Sequence, residues 1–395
     1  MYQPATVFGH LDIKDRQLGA SFTVQVTSDL SQVETAWREF ETRAICTPYQ
    51  SFDFVRLWIE TIGVADRVSP VIAIIRSRSG QIAAILPFGR YKRGPVTVAG
   101  WLGDQNMNYF MGLFDPDAAL TGQDLKKCLV EIAKAASVDG FFLKNQPRTW
   151  LGFENPALSL ETQASPSNAF GAILNPDFDT HFANLGASKW KRQLRSKLKK
   201  LNGLGAVAMR KARDKADAHQ IMDIYIAQKS KSLSAQGISS PFDLPDVRNF
   251  FHSLIDISTE NVSLLDLYVL ELNGEPIAVY GGTPAFGHFA ASICSYAEGP
   301  HAAASPGEQL LRFVVEDRCK IGDTCMDLGT GEGRYKKNWC PERIDLFDAV
   351  IPVTLIGRLY ALLAHGKRKI MRTIKGNETL WSRYRSIRRS LYQAS

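Results

Sequence analysis

The sequence predicts an α+β protein, a mixed αβ chain in which antiparallel hairpins alternate with amphipathic helices. Three observations carry that expectation. Two hairpin signals stand far apart, Ser79-Gly80 between segments 71–76 and 81–86, and Asn273-Gly274 between segments 265–272 and 276–281. Around them, apolar residues recur at helical rather than strand spacing. The chain has 395 residues, more than one domain usually holds, so two domains are expected.

The first half reads as a mixed αβ unit. Segment 22–26 alternates like a strand, Ser28-Asp29 can cap, and Val33, Trp37 and Phe40 share one face of a helix over 30–42. Pro48-Tyr-Gln-Ser-Phe52 leads into a helix through Phe54, Leu57 and Trp58, with Ser51 or Asp53 as its cap. After the first hairpin come strands at 96–101 and 109–114, a helix at 125–136 and a strand at 140–143. Segment 155–178, rich in Asn, Pro and Ser, is the expected linker.

In the second half, Lys189 to Lys200 carries seven basic and no acidic residues, with Trp190, Leu194, Leu198 and Leu201 on one helical stripe. Such a helix either meets phosphates or covers the core as a solvated face; seven like charges repel one another without an anionic neighbour. A strand at 205–211, helices at 216–228 and 246–257, the second hairpin and a strand at 288–296 follow. A strand at 344–352 precedes a basic amphipathic tail.

Composition is that of a globular chain, 45% hydrophobic and 22% charged. The six cysteines have neither CxxC nor zinc spacing, so no metal site and no disulfide framework is expected, and a reducing cytoplasm is the expected compartment. The first residues have neither a basic n-region nor an apolar h-region, and no apolar run is long enough to span a membrane. Net charge is +7, yet the basic helix and residues 357–395, with ten basic and one acidic residue, hold more than that. The partners of those two regions are therefore expected to be anionic.

The densest local signals lie between Ile293 and Pro341. Ser305-Pro-Gly-Glu308 precedes the apolar-periodic Leu310, Leu311, Phe313, Val314 and Val315, which predicts a capping box, Pro at the first helical position and an N-terminus able to hold an anion such as a pyrophosphate. The segment Asp327-Leu-Gly-Thr-Gly-Glu-Gly333 imitates a nucleotide loop. Too few residues follow it to complete a doubly wound sheet. Its glycines are expected instead to shape a strand exit that presents Asp327, Glu332, Tyr335 and Lys336 around one cleft. Cys294, Cys325 and Cys340 fall near it, with no His motif to support a thiol nucleophile.

These residues resemble the GNAT superfamily of N-acyltransferases, and more narrowly its CelD-like branch, the cellulose and exopolysaccharide biosynthesis type related to FemAB-type transferases. The resemblance rests on Gly274-Glu-Pro-Ile-Ala278, Ser295-Tyr296, Ser305-Pro-Gly307 with Leu310-Leu311, and Asp327-Leu-Gly329 followed by Tyr335-Lys336 and Trp339. Pro48 to Phe52, Leu86-Pro87 and the GPVTVAGWLG segment look like a first repeat. The common GNAT pattern [QR]xxGx[GA] is not reproduced, because Ala302 and Ser305 stand where Gln or Arg and the first Gly would.

The resemblance implies tandem GNAT-like lobes, each a mixed, mostly antiparallel sheet flanked by helices, at 22–154 and 179–356, joined by the linker 155–178 and followed by a basic helical tail, 357–395. It implies an acyl-CoA donor, acetyl-CoA or longer, and transfer to an amine of a small metabolite, amino sugar or cell-envelope precursor, without a metal. Ser305, Pro306, Gly307 and Tyr296 would hold the donor. Asp327, with Glu332 second, would take the amine proton, and Tyr335 would protonate the departing thiolate. Lys336, Trp339 and His288 would line the acceptor side.

Two alternatives remain from the same residues. FemAB-type relatives use aminoacyl-tRNA, for which the basic helix is suited. A catalytically silent partner of polysaccharide synthesis could instead dock peripherally on the anionic inner membrane face through Leu355, Leu359, Leu362 and Leu363 with Arg383, Arg385, Arg388 and Arg389.

Overall fold

The computed structural model describes residues 16–17, 22–103, 107–160, 162–259 and 262–394. Apart from 16–17, residues 1–20 lie outside them, as do the Arg388 and Arg389 side chains. The chain forms two compact units, residues 1–166 with 345–373, and residues 167–344 with 374–395.

In chain order the first unit begins with β1 (Arg16–Gln17), β2 (Phe22–Thr27), α1 (Glu34–Glu41) and α2 (Phe52–Trp58). It continues through β3 (Ser69–Ser77), β4 (Ile82–Arg93), β5 (Val96–Trp101), β6 (Leu113–Phe114), α3 (Gly122–Ala136) and β7 (Gly140–Pro147). A short hairpin, β8 (Thr149–Trp150) and β9 (Phe153–Glu154), precedes β10 (Thr162–Ala164). The second unit holds β11 (Ala169–Ile173), α4 (Phe178–Asn184), α5 (Ser188–Asn202), β12 (Val207–Lys211), α6 (Lys215–Ala235) and α7 (Pro245–Ile257). There follow β13 (Asp266–Leu272), β14 (Glu275–Ala285), β15 (His288–Tyr296), α8 (Pro306–Ile321), β16 (Cys325–Thr330), α9 (Arg334–Trp339) and β17 (Glu342–Ile344). β18 (Leu346–Pro352), α10 (Leu355–Gly376) and α11 (Glu378–Ala394) complete the chain.

Each unit is a mixed sheet flanked by helices, as the sequence predicts. The first sheet runs β1-β2-β3-β4-β5-β7-β18-β10 with β6 beside β4, and the second runs β12-β13-β14-β15-β16-β11-β17. Pairing is antiparallel except at β5–β7 and β15–β16, and each parallel pair is bridged by a helix, α3 or α8. A parallel connection cannot be made by a tight turn, which is why a helix intervenes. The second hairpin turns at Asn273 and Gly274, with φ of 54° and 83°, the two positive values that a type I′ turn needs.

Two expectations about strands are corrected. Segment 155–178 is no plain linker: β10 pairs with β18 of the first sheet, and β11 pairs with β16 and β17 of the second. The strand expected over 344–352, inside the lobe 179–356, splits. β17 stays in the second sheet, whereas β18 pairs with β7 and β10 in the first. Alternation announces a strand but not its partner, and the partner is chosen by burial. Asp348, fully buried on β18, accepts from the Asn145 N–H at 3.0 Å, the Ser165 hydroxyl at 2.5 Å and the Arg368 guanidinium. Arg368, read as part of a free basic tail, is thus the counter-ion of a buried carboxylate.

The second core gathers Leu310, Leu311, Val314 and Val315 of α8 with Tyr268, Leu270, Ala278 and Phe289 of the sheet and Leu194 and Leu201 of α5. The stripe expected on the basic helix therefore faces the core through Leu194 and Leu201, while Lys189, Arg192, Arg195, Lys199 and Lys200 are exposed. Among the described residues no helix is long and apolar enough to cross a membrane.

Candidate functional site

The N-terminus of α8 lines a cavity of about 490 Å³ in the second unit. Ser305, Pro306, Gly307 and Glu308 contribute from that helix end, Tyr296 from the end of β15 and Tyr335 from α9. These are the donor residues and the proton donor expected from the sequence, so Tyr296, Ser305, Pro306, Gly307 and Tyr335 do meet around one space.

The helix starts at Pro306 as predicted, but not through a capping box. A tight turn over Pro300–Ala304 leaves Ser305 in the left-handed region, at φ 53°, with no side-chain cap bond. Its hydroxyl instead accepts from the Lys197 ammonium at 2.7 Å, which ties the basic α5 to the cavity rim. Glu308 does not reach back either, for its carboxylate accepts from the Trp190 indole N–H at 2.8 Å. A non-glycine residue in the left-handed region costs about 1–2 kcal/mol, so the surrounding contacts must hold it there.

The sequence missed the other half of the lining. Lys229 and Ser232 stand on α6 with Gln236 as its C-cap, and Tyr280 and Cys294 are directly paired across β14 and β15. The Ser295 hydroxyl donates to Gln228 Oε1 at 2.8 Å and Lys229 Nζ reaches the Cys294 carbonyl at 3.4 Å, which fastens α6 to the end of β15. The polar spacing of three and four on α6 was a legible sign of a shared face. What that face meets was not legible. Glu308, passed over as a capping partner, is the one carboxylate among the described lining residues.

Asp327, the expected base, is elsewhere. It is fully buried, its Oδ2 lies 2.7 Å from His288 Nε2, and its Oδ1 accepts from the Gly329 N–H at 2.7 Å. Neither Asp327 nor His288 lines the cavity, so a carboxylate held in this way is not placed to take a proton from an acceptor there. Burial alone would lower the His288 pKa, but its hydrogen bonds to Asp327 and Cys325 outweigh that and raise it to about 9.

The remaining expected residues also leave the cleft. Glu332 is exposed and pairs with Lys337 at 2.8 Å. Burial lowers the Lys336 pKa against the opposing pull of Asp327, and its ammonium donates to the Thr330 carbonyl at 2.7 Å and the Gly329 carbonyl at 3.3 Å. Trp339 is buried in an edge contact with Trp190, ring centroids 5.1 Å apart. The cause is the loop itself: Gly329 and Gly331, at φ 68° and 98°, turn the chain so that only Tyr335 of this segment reaches the cavity.

The electrostatics suit a proton donor beside an anion site. Burial, with Cys294 and Cys340 nearby, pushes the Tyr335 phenol well above its ordinary value, so it carries its proton at neutral pH. Burial also pushes the Cys294 thiol up, against the attraction of Lys229 and Lys336. The first turn of α8 offers N–H groups and the positive end of the helix dipole, and Lys197 and Lys229 add cationic side chains. Among the described residues no group of three or more His, Cys, Asp or Glu could hold a metal ion.

Residues 188–337 match the family model of the acetyltransferase (GNAT) domain. That span begins on α5, includes α8 and ends just past Tyr335, so every residue lining the cavity lies within the matched span. Among solved structures the chain is similar to FemX, at 11% identity and a TM-score of 0.53, over 78% of this chain and 92% of that one. It is similar as well to a conserved protein of unknown function from Bacteroides thetaiotaomicron VPI-5482, at 11% identity and a TM-score of 0.52, over 86% and 100% of the two chains. At such identity the shared property is the fold. No curated protein matches the chain.

Proposed function

We propose that the second unit transfers an acetyl or longer acyl group from a CoA thioester to an amine of a small metabolite, amino sugar or cell-envelope precursor. One observation carries the reading: a helix N-terminus, Lys229 and a protonated phenol line a single cavity of about 490 Å³ inside the matched span, and Lys197 bonds Ser305 at its rim. The donor's pyrophosphate would lie against Ser305, Pro306 and Gly307, where N–H groups and the helix dipole favour negative charge. The absent Cβ of Gly307 leaves the backbone open, since the nearest side-chain atom would lie 3.7 Å from it.

In the reaction the neutral amine nitrogen attacks the thioester carbonyl, the C–N bond forms and the C–S bond breaks. Tyr335 gives its proton to the departing sulfur, and Glu308 takes the proton released by the amine. Asp327 has no part in this scheme. The CelD-like assignment rests on the Ser305-Pro-Gly307 and Tyr335-Lys336-Trp339 block and is kept as part of the proposal.

The decisive experiment measures melting temperature with acetyl-CoA and with longer acyl-CoA thioesters, together with mass spectrometry of small molecules that copurify. A ligand at a hundred times its Kd adds about 2.7 kcal/mol of stability. No shift with any thioester and no retained CoA would reject this donor. A second reading, an aminoacyl-tRNA donor, is favoured by the five exposed cations of α5 and by the Lys197–Ser305 bond that joins this helix to the cavity. It predicts tRNA binding that weakens steeply with salt and on charge reversal within 191–200.

A further inference from the structure

We propose that Cys325 is a second nucleophilic site, a sulfur set against a buried histidine and carboxylate, that reacts with hydroperoxides. Cys325 Sγ lies 2.8 Å from His288 Nδ1, and the other nitrogen of the same ring lies 2.7 Å from Asp327 Oδ2. Asp327 is in turn fixed by the Gly329 N–H. A sulfur, a base and a carboxylate that orients the base stand in line, the arrangement that activates a nucleophile.

The sheet builds this line. Parallel pairing of β15 and β16 sets His288 opposite Cys325, and Asp327 follows two residues later on the same face of its strand. His288 and Asp327 are buried, whereas Cys325 is only half-buried beside the exposed Thr324, whose hydroxyl lies 3.9 Å from the sulfur and donates to the Gly287 carbonyl. The sulfur is thus accessible from the solvent side to a small reagent while its base is shielded from water.

The site is separate from the acyl-transfer cavity. Cys294 to Tyr296 reach the cavity at the far end of β15, six or more residues from His288, which at about 3.3 Å per residue is ~20 Å. Among the described residues, Asp327 on β16 bonds His288, and Asp323 in the preceding loop, drawn by the His288 charge, is paired at 3.5 Å with the Arg318 guanidinium of α8. The two carboxylates favour the imidazolium. Consistent with this, His288 stays protonated through neutral pH because its pKa is raised to about 9.

In the reaction the Cys325 sulfur attacks one peroxide oxygen, an S–O bond forms and the O–O bond breaks. The sulfur is oxidised by two electrons to a sulfenic acid, and the leaving oxygen is reduced and takes its proton from the His288 imidazolium to depart as water or an alcohol. No further co-reactant is needed.

The test uses the full chain, with iodoacetamide at pH 5.5–9.5 and, separately, hydrogen peroxide with dimedone, each read at the Cys325 peptide by mass spectrometry. With His288 placed to assist it, Cys325 should react about tenfold faster than glutathione at pH 6.5. The proposal is overturned if Cys325 reacts no faster than glutathione at that pH, or if dimedone marks other cysteines and not Cys325. His288→Asn should bring the rate down to that of glutathione; should that variant not fold, the wild-type comparison decides alone. Cys325→Ser should remove the dimedone adduct.

Discussion

His288 and Asp327 face each other at 2.7 Å on neighbouring parallel strands, both buried beneath the surface of the second unit. A folded-state pKa near 9 against an unfolded value near 6.5 means that the His288 contribution to stability is fully present below about pH 6.5 and is lost as pH rises through 9. Urea denaturation at pH 6.5 and 9.5 should show the loss. Asp327→Asn should destabilise by about 3–5 kcal/mol at pH 6.5, because it strands a buried imidazolium, and should flatten this part of the pH dependence. Unchanged stability with lost turnover would instead restore Asp327 to the role of base.

Tyr335→Phe keeps the ring and removes the proton. If the phenol protonates the leaving thiolate, kcat should fall roughly 10²–10⁴-fold while the melting shift with acyl-CoA stays within a degree of wild type. A fall in donor binding with intact kcat would assign Tyr335 to packing alone.

Lys197 joins the basic α5 to Ser305 at the start of α8. Replacing it with Met should raise the KM for the donor by about tenfold or more, the effect of about 1.5–3 kcal/mol for a charge-assisted hydrogen bond, and should make the remaining affinity less sensitive to salt. The donor titration at 50 and 500 mM salt measures both.

Arg368 and Asp348 form a test confined to the first unit. Arg368→Ala leaves a fully buried carboxylate without its counter-ion and should cost about 3–5 kcal/mol in chemical denaturation. Arg368→Ala with Asp348→Asn should recover much of that loss. The cavity of the second unit should bind donor as before.

On α10, Leu355, Leu359, Leu362 and Leu363 are exposed beside Arg358 and Lys367. If this face docks on lipid, Leu359→Glu with Leu362→Glu should abolish pelleting with anionic liposomes and leave donor binding unchanged. Equal pelleting of variant and wild type would dismiss the membrane contact.

The sequence by itself determined the α+β class, the hairpin at Asn273-Gly274, the helix from Pro306 and the amphipathic basic helix, because each depends on spacing and turn chemistry within a few residues. It also named five residues of the cavity, Tyr296, Ser305, Pro306, Gly307 and Tyr335, since a helix N-terminus is a local property. Only tertiary structure decided which strands pair, so that β18 joins the first sheet and β11 the second. It also decided where Asp327 points. A carboxylate at a strand end is equally fit to be a base or a buried counter-ion, and the choice fell to His288, thirty-nine residues earlier, brought opposite by a parallel pairing that no local pattern encodes. The same pairing set Cys325 against His288, an arrangement that exists only once the two strands lie side by side.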